Sequence, residues 1–211
     1  MKKLNSILLI SLLLLTLLGC KNKAPNNFTL TKIENKHLEL QTPNTWLYMN
    51  PEGTKELLDM VVTMIEEGAF SQEVLDEIKK GEIVMFMEMD ANNNPTGRNM
   101  TIIEAYVGAA TQDDLPALAA YMETEYLKLG EAQGLNSVVW IEKPTVVELG
   151  ANRFMLMAIR YTMLGLESVV YQGISINREN SYTFTYTVNS TTHSKETQEL
   201  FKKILATVVF N

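Results

Sequence analysis

From residue 138 to residue 188 the chain reads as a succession of period-two pieces, and few folds accept that pattern. The alternating pieces are residues 138–142, 146–148, 153–162, 168–176 and 181–188, separated by Pro144, Gly150, Gly165 and Asn180. Successive side chains on a strand point to opposite faces, so each piece reads as a strand. Residues 181–188 are the clearest case. Tyr182, Phe184, Tyr186 and Val188 point one way, and Thr183, Thr185 and Thr187 the other. One face is expected to be packed and the other wet, as an antiparallel sheet allows.

The rest of the chain adds helices and shorter strands. Residues 29–33 and 37–40 read as two short strands or one interrupted strand, His37 falling in the second piece, and Pro43 and Asn44 end that region before Trp46. Asn50-Pro51 is a helix start, followed by the stripe Leu57, Leu58, Val61, Val62 and Ile65. Ser71 caps a second short helix carrying Val74, Leu75 and Ile78. Residues 83–89 and 101–107 read as strands joined by a polar hairpin loop over residues 90–97. Asp114 is placed to cap a helix whose face carries Leu115, Leu118, Ala119, Met122, Tyr126 and Leu129. A closing helix over residues 195–207 buries Leu200, Phe201, Ile204, Leu205 and Val208. Helices interspersed with long antiparallel stretches argue for an α+β domain with its sheet covered by helices.

The N-terminus places the protein. Lys2 and Lys3 precede an apolar run from Ile7 to Leu18, broken only by Ser11 and Thr16. It reads as a secretory signal peptide, too short and wrongly flanked for an ordinary spanning helix. Its ending, Leu17-Leu18-Gly19-Cys20, resembles the lipobox of bacterial lipoproteins, in which the cysteine becomes the acylated first residue of the mature protein. Cys20 is the only cysteine, so it has no disulfide partner in an oxidising compartment, and acylation accounts for both its number and its position. One acyl chain anchors only marginally; the resemblance implies two or three. The expected organisation is a signal peptide over residues 1–19, acylated Cys20 and a polar tether over 20–27, and one domain over 28–211. The tether is short, so the domain is expected close to the surface of the cell membrane or outer membrane, outside the cytoplasm.

Charge narrows the partners. Loss of Lys2 and Lys3 leaves 16 of the 18 basic residues against 25 acids, moving the net charge from -7 to -9. Such a domain is repelled by phosphate backbones and anionic lipid surfaces, and no nucleic-acid partner is expected.

Four segments carry a family resemblance: Leu38-Glu39-Leu40 with Pro43-x-x-Trp46; Asn99-Met100-Thr101-Ile102; Tyr182-Thr183-Phe184-Thr185-Tyr186; and Leu200-Phe201-x-x-Ile204-Leu205. Together they resemble the PsbP/DcrB-type domain. The resemblance implies an α-β-α sandwich around an antiparallel sheet, opened by a strand and a Pro-x-x-Trp turn. A tyrosine-rich strand and an amphipathic helix close it.

Candidate chemistry is sparse. His37 and His193 are the only histidines, and neither has a partner at metal-ligand spacing, so each reads as a surface or cap residue. Asp90-x-Asn92-x-Asn94 imitates the start of a calcium loop. Pro95 stands where that loop needs glycine, and Thr101 where it needs a bidentate glutamate, so turn chemistry is the better reading. Met85, Met87 and Met89 fall on one side of a strand, as do Met155 and Met157 on another. Thioethers suit Cu(I), but alternating methionine on a strand reads first as core or as an adaptable apolar groove. Glu66-Glu67 and Asp113-Asp114 read as solvated or capping pairs, and no Gly-x-Ser-x-Gly or Gly-rich phosphate loop is present. No catalytic residue, metal or cofactor is expected. The resulting expectation is a non-enzymatic accessory or interaction module, held to the membrane by lipid and working beside another envelope protein. The alternative is a binding protein for a small apolar ligand or lipid held between sheet and helix. Packed Tyr182, Phe184 and Tyr186 would argue against that alternative, and an open methionine-lined pocket for it.

Overall fold

A computed structural model describes residues 28–33, 37–49, 83–132, 136–163 and 166–211. The expected signal peptide, Cys20, the tether and the two helices expected over residues 50–81 lie outside them.

The described chain forms strands β1 (Phe28–Ile33), β2 (Leu38–Pro43), β3 (Trp46–Met49), β4 (Ile83–Met89) and β5 (Pro95–Tyr106), then helix α1 (Leu115–Ala132). Strands β6 (Asn136–Leu149), β7 (Asn152–Met163), β8 (Leu166–Asn177) and β9 (Asn180–Asn189) follow, then helix α2 (Lys195–Leu205) and the short β10 (Val209–Phe210). Seven strands make one sheet in the order β3-β4-β5-β9-β8-β7-β6, and β1-β2-β10 make a small one. Every pairing in the large sheet is antiparallel. The α+β expectation holds, with two helices packed on an antiparallel sheet.

Period two divides the large sheet into two faces. On one, Phe154, Leu156, Tyr171, Tyr182, Phe184 and Tyr186 pack against Phe201, Ile204 and Leu205 of α2 and Leu38 and Leu40 of β2. On the other, Met155, Met157, Ile159, Val170 and Ile174 pack against Leu115, Ala119, Met122 and Tyr126 of α1. Of the apolar stripes expected on the two helices, Leu115, Ala119, Met122 and Tyr126 of the first and Phe201, Ile204, Leu205 and Val208 of the second are buried, and Leu118 and Leu200 are half-buried.

Local chemistry starts each helix. Ser194 caps α2 by accepting a hydrogen bond from the Thr197 backbone N–H at 3.3 Å, with Glu196 in the first turn and Lys202 and Lys203 in the last. These charges complement the helix dipole. Before α1 the cap is Thr111 rather than Asp114. Thr111 begins a short 3-10 turn, and the Asp114 carboxylate closes the reciprocal box by accepting from the Thr111 backbone N–H at 2.7 Å. Asp113 pairs with Arg153 at 3.0 Å.

Four further expectations are corrected. The hairpin loop is shorter than residues 90–97, because β5 already begins at Pro95. Pro144 does not end a strand: β6 runs through it, and the register slips by one residue between Glu142↔Ala158 and Thr145↔Leu156. Pro144 sits in this bulge on the edge strand, where the ladder needs no N–H from it. His37 lies in the turn before β2 at φ 49, not in the strand.

The last correction concerns the hydroxyl face of β9. Thr183, Thr185 and Thr187 are all buried. Gln172 Nε2 donates to Thr185 Oγ1 at 3.3 Å, and Tyr126 Oη of α1 donates to Gln172 Oε1 at 3.2 Å, which ties helix to sheet. The Thr187 and Thr101 hydroxyls are buried with no hydrogen-bond partner. A buried hydroxyl without a partner costs about 1–3 kcal/mol, so the near-isosteric Thr187→Val should gain about 1 kcal/mol in denaturant unfolding. A loss of stability would mean that the hydroxyl is satisfied in solution.

Candidate functional site

One row of side chains crosses the α2 face of the large sheet and gathers most of its buried ionisable chemistry. Strand register builds it. Trp46 lies opposite Glu88, Met100 opposite Tyr186, Tyr186 opposite Tyr171, Tyr171 opposite Ala158, and Ala158 opposite Glu142. Arg98 precedes Met100 on the same face of β5. The row thus draws on strands that stand far apart in sequence.

At one end, Glu88 is only 2% exposed. Thr96 Oγ1 donates to its Oε2 at 2.6 Å, and Arg98 Nη1 lies 3.6 Å from Oε1. Burial pushes the Glu88 carboxyl above the usual range, and the Thr96 hydroxyl and Arg98 charge offset that only in part. Trp46 and Tyr186 stand beside this pair with ring centroids 5.3 Å apart. Tyr186 stacks against both Tyr171 at 6.1 Å and Phe201 at 5.9 Å, the three rings forming a triangle, and burial raises its hydroxyl pKa.

At the other end, Tyr171 Oη is hydrogen-bonded to His193 Nδ1. Burial, with the Glu142 charge nearby, raises the Tyr171 pKa. The hydroxyl therefore keeps its proton, and the imidazole tautomer sets which of the two atoms donates. Burial and the Arg160 guanidinium lower the His193 pKa, against the pull of Glu142. Gln198 Nε2 of α2 donates to Glu142 Oε1. His193 is thus not the helix cap, a role taken by Ser194; it is a strut joining the turn before α2 to β8.

A perturbed acid and a perturbed histidine are the groups that a hydrolytic reading would need, and sequence reasoning missed both. Glu88 shares strand parity with the buried Val84 and Phe86, not with the methionines. An acid at an apolar parity was the available signal. Arg98 carried the matching one, sharing parity with Met100 and Ile102. No comparable signal pairs His193 with Tyr171, because the two meet only when α2 docks. Glu88 and His193 are each bonded within the protein, so the two ends of the row brace sheet and helix. Between them, Trp46 Nε1 and Tyr186 Oη are buried with no hydrogen-bond partner.

Opposite pH dependences follow. Glu88 holds its proton more tightly folded than unfolded, so its contribution is present at low pH and is lost as pH rises through its folded pKa. His193, with its pKa lowered, contributes above the usual histidine range and loses that contribution as pH falls. The stability difference between wild type and Glu88→Gln should therefore shift in favour of wild type as pH is lowered from neutral through the carboxylate range. A pH-independent difference in chemical denaturation would show that Glu88 is solvated.

The remaining candidates are ordinary. Asp90 Oδ1 accepts from the backbone N–H groups of Asn92 at 2.8 Å and Asn94 at 2.9 Å, which lowers its pKa. The carboxylate is engaged in the turn, as turn chemistry predicts. Met85, Met155 and Met157 are core. Met87 and Met89 are half-buried, beside a register shift whose extra residues lie on β5. Among the described residues no cluster of three or more His, Cys, Asp or Glu side chains is placed to hold a metal. No described helix is long and apolar enough to cross a membrane.

No family model matches the sequence, and no curated protein does. Solved structures do match. The cyanobacterial PsbP protein CyanoP of Synechocystis aligns over 92% of this chain and 99% of its own, at TM-score 0.51 and 12% identity. The Ran-binding protein Mog1p of Saccharomyces cerevisiae aligns over 87% of this chain and 95% of its own, at TM-score 0.52 and 9% identity. A Bacteroides thetaiotaomicron protein aligns over 82% of this chain at TM-score 0.47 and 11% identity, and the chain spans 45% of that protein's length. At these identities the likeness shows the fold: PsbP/Mog1p-like.

Proposed function

We propose that this is a lipid-anchored protein of the bacterial cell envelope, acylated at Cys20, whose domain acts without catalysis as an accessory or interaction module beside another envelope protein. One observation carries the choice between this reading and a pocket for a small apolar ligand. Tyr182, Phe184 and Tyr186 are buried, and their rings contact Phe210, Phe154, Trp46, Tyr171 and Phe201. The space between sheet and α2, where such a ligand would sit, is filled by the protein's own rings. Glu88 and Glu142 of the row above it are bonded inward. What is left to work with is the outer surface, which suits a macromolecular partner. The same fold carries a Ran-binding protein, so it is compatible with that use.

Crosslinking in intact cells, followed by mass spectrometry of what co-purifies, tests the module. A reproducible membrane-protein partner supports the reading; recovery of lipids or small molecules alone would replace it with the ligand-binding one. The anchor has its own test. Cys20→Ala should release the protein from membranes without changing its thermal unfolding. A mutant that stays membrane-bound through high salt and carbonate would end the lipoprotein reading.

A further inference from the structure

We infer that the outward face of the small sheet, carrying Phe28, Leu30 and Val209, is the surface that lies against the lipid bilayer. The inference rests on the lipid-anchor reading above and specifies how the anchored domain is oriented.

Register puts these side chains together. Leu30 of β1 is opposite Gln41 of β2, while Lys32 of β1 and Val209 of β10 flank Glu39 of β2 from its two sides. Directly opposed residues share a face, so this face holds Phe28, Leu30, Lys32, Glu39, Gln41 and Val209. Leu30 is 52% exposed, Val209 50% and Phe28 36%. The other face of the same strands turns Ile33, Leu38 and Leu40 into the core. Exposed apolar residues scattered singly are ordinary. Here three share one face of a three-stranded sheet.

Chain length says what that face meets. Eight residue steps separate Cys20 from Phe28, and a fully extended chain spans at most about 28 Å over that distance. The first strand of the domain is therefore held within about 28 Å of the acyl chains. Charge agrees. Residues 21–33 contain Lys21, Lys23 and Lys32 and no acid, in a mature chain of net charge -9. The one carboxylate on the face, Glu39, is paired with Lys32 at 3.1 Å. The face is apolar and its Lys32–Glu39 pair leaves it without net charge, so it meets a bilayer without the repulsion that the net charge of -9 would otherwise bring. The acyl chains supply the affinity and the face sets the orientation. The small sheet lies on the α2 side of the large sheet, the side opposite α1.

The test uses the acylated full chain, in which the Cys20 thiol is consumed by the lipid. Leu30→Cys, Val209→Cys and, as a reference, the exposed Leu166→Cys are each labelled with an environment-sensitive fluorophore. They are then placed in vesicles of phosphatidylcholine with a quarter phosphatidylglycerol. The labels at 30 and 209 should shift to shorter emission wavelength and lose several-fold in accessibility to an aqueous quencher, while the label at 166 stays aqueous. Aqueous labels at 30 and 209 on a chain whose mass shows acylated Cys20 would overturn the surface and leave the anchor standing. An unmodified Cys20 would sink the anchor, and the orientation that rests on it would fall with it. Label-to-label quenching between copies without vesicles would overturn the inference in favour of self-association.

Discussion

Replacing Phe201 with alanine should cost about 3–5 kcal/mol and lower the melting temperature by roughly 10 °C. The ring is buried, with Tyr171 at 6.1 Å and Tyr186 at 5.9 Å, and it is the large side chain that α2 presses onto the sheet. Both tyrosines belong to the row that crosses the sheet, so the loss should reach beyond the cavity. With its neighbour gone, Tyr171 is freer to turn and its bond to His193 weakens. Thermal unfolding reads the stability, and the His193 imidazole resonances read the brace. Phe201→Leu, which keeps most of the volume, should recover more than half of the loss. A cost below about 1 kcal/mol for the alanine variant would mean that α2 is held by something other than this ring.

Gly150→Ala should be nearly as damaging although it adds one methyl group. Gly150 turns the chain from β6 to β7 at φ +63, and a Cβ there would run into the Ala206 carbonyl oxygen, with the carbonyl carbon at 3.0 Å and Cα at 3.3 Å. The left-handed conformation alone costs an alanine about 1–2 kcal/mol. The obstacle is backbone at the C-cap of α2 rather than a side chain that can swing aside, so displacing it should add about 1–3 kcal/mol. Gly108 supplies the control. Its φ is +67, but nothing stands within 4 Å of the added carbon. Gly108→Ala should therefore show only the conformational cost, and the difference between the two variants in denaturant unfolding isolates the collision. Equal losses would show that the turn and the helix end do not meet closely in solution.

The helical stripes on α1 and α2 and the strands from β4 to β9 were legible because each is a local alternation of polarity. Helix and strand geometry read such alternation directly. The Asp90 turn was legible for a similar reason, its carboxylate needing only backbone N–H groups two and four residues away. The burial of the β9 threonines was not. Their alternation with Tyr182, Phe184 and Tyr186 reports that one face is less apolar. It cannot report that Gln172 and Tyr126 arrive from β8 and α1 to meet those hydroxyls.

Pro144 was misread for a related reason. A proline ends a strand where its missing N–H is needed, and whether it is needed depends on which strand lies at the edge. The row from Trp46 to Glu142 is the extreme case. It exists because β5 pairs with β9, so that Met100 faces Tyr186 across many intervening residues, and because α2 then docks His193 and Gln198 at its end. The sequence alone determined the kind of elements, the apolar stripe of each helix and the expectation of a lipid anchor, since periodicity, caps and a short motif are local properties. Strand order, the burial of the second sheet face and the pairing of Glu88 with Arg98 were decided by the tertiary structure, because each depends on partners that only long-range packing brings within a few ångströms.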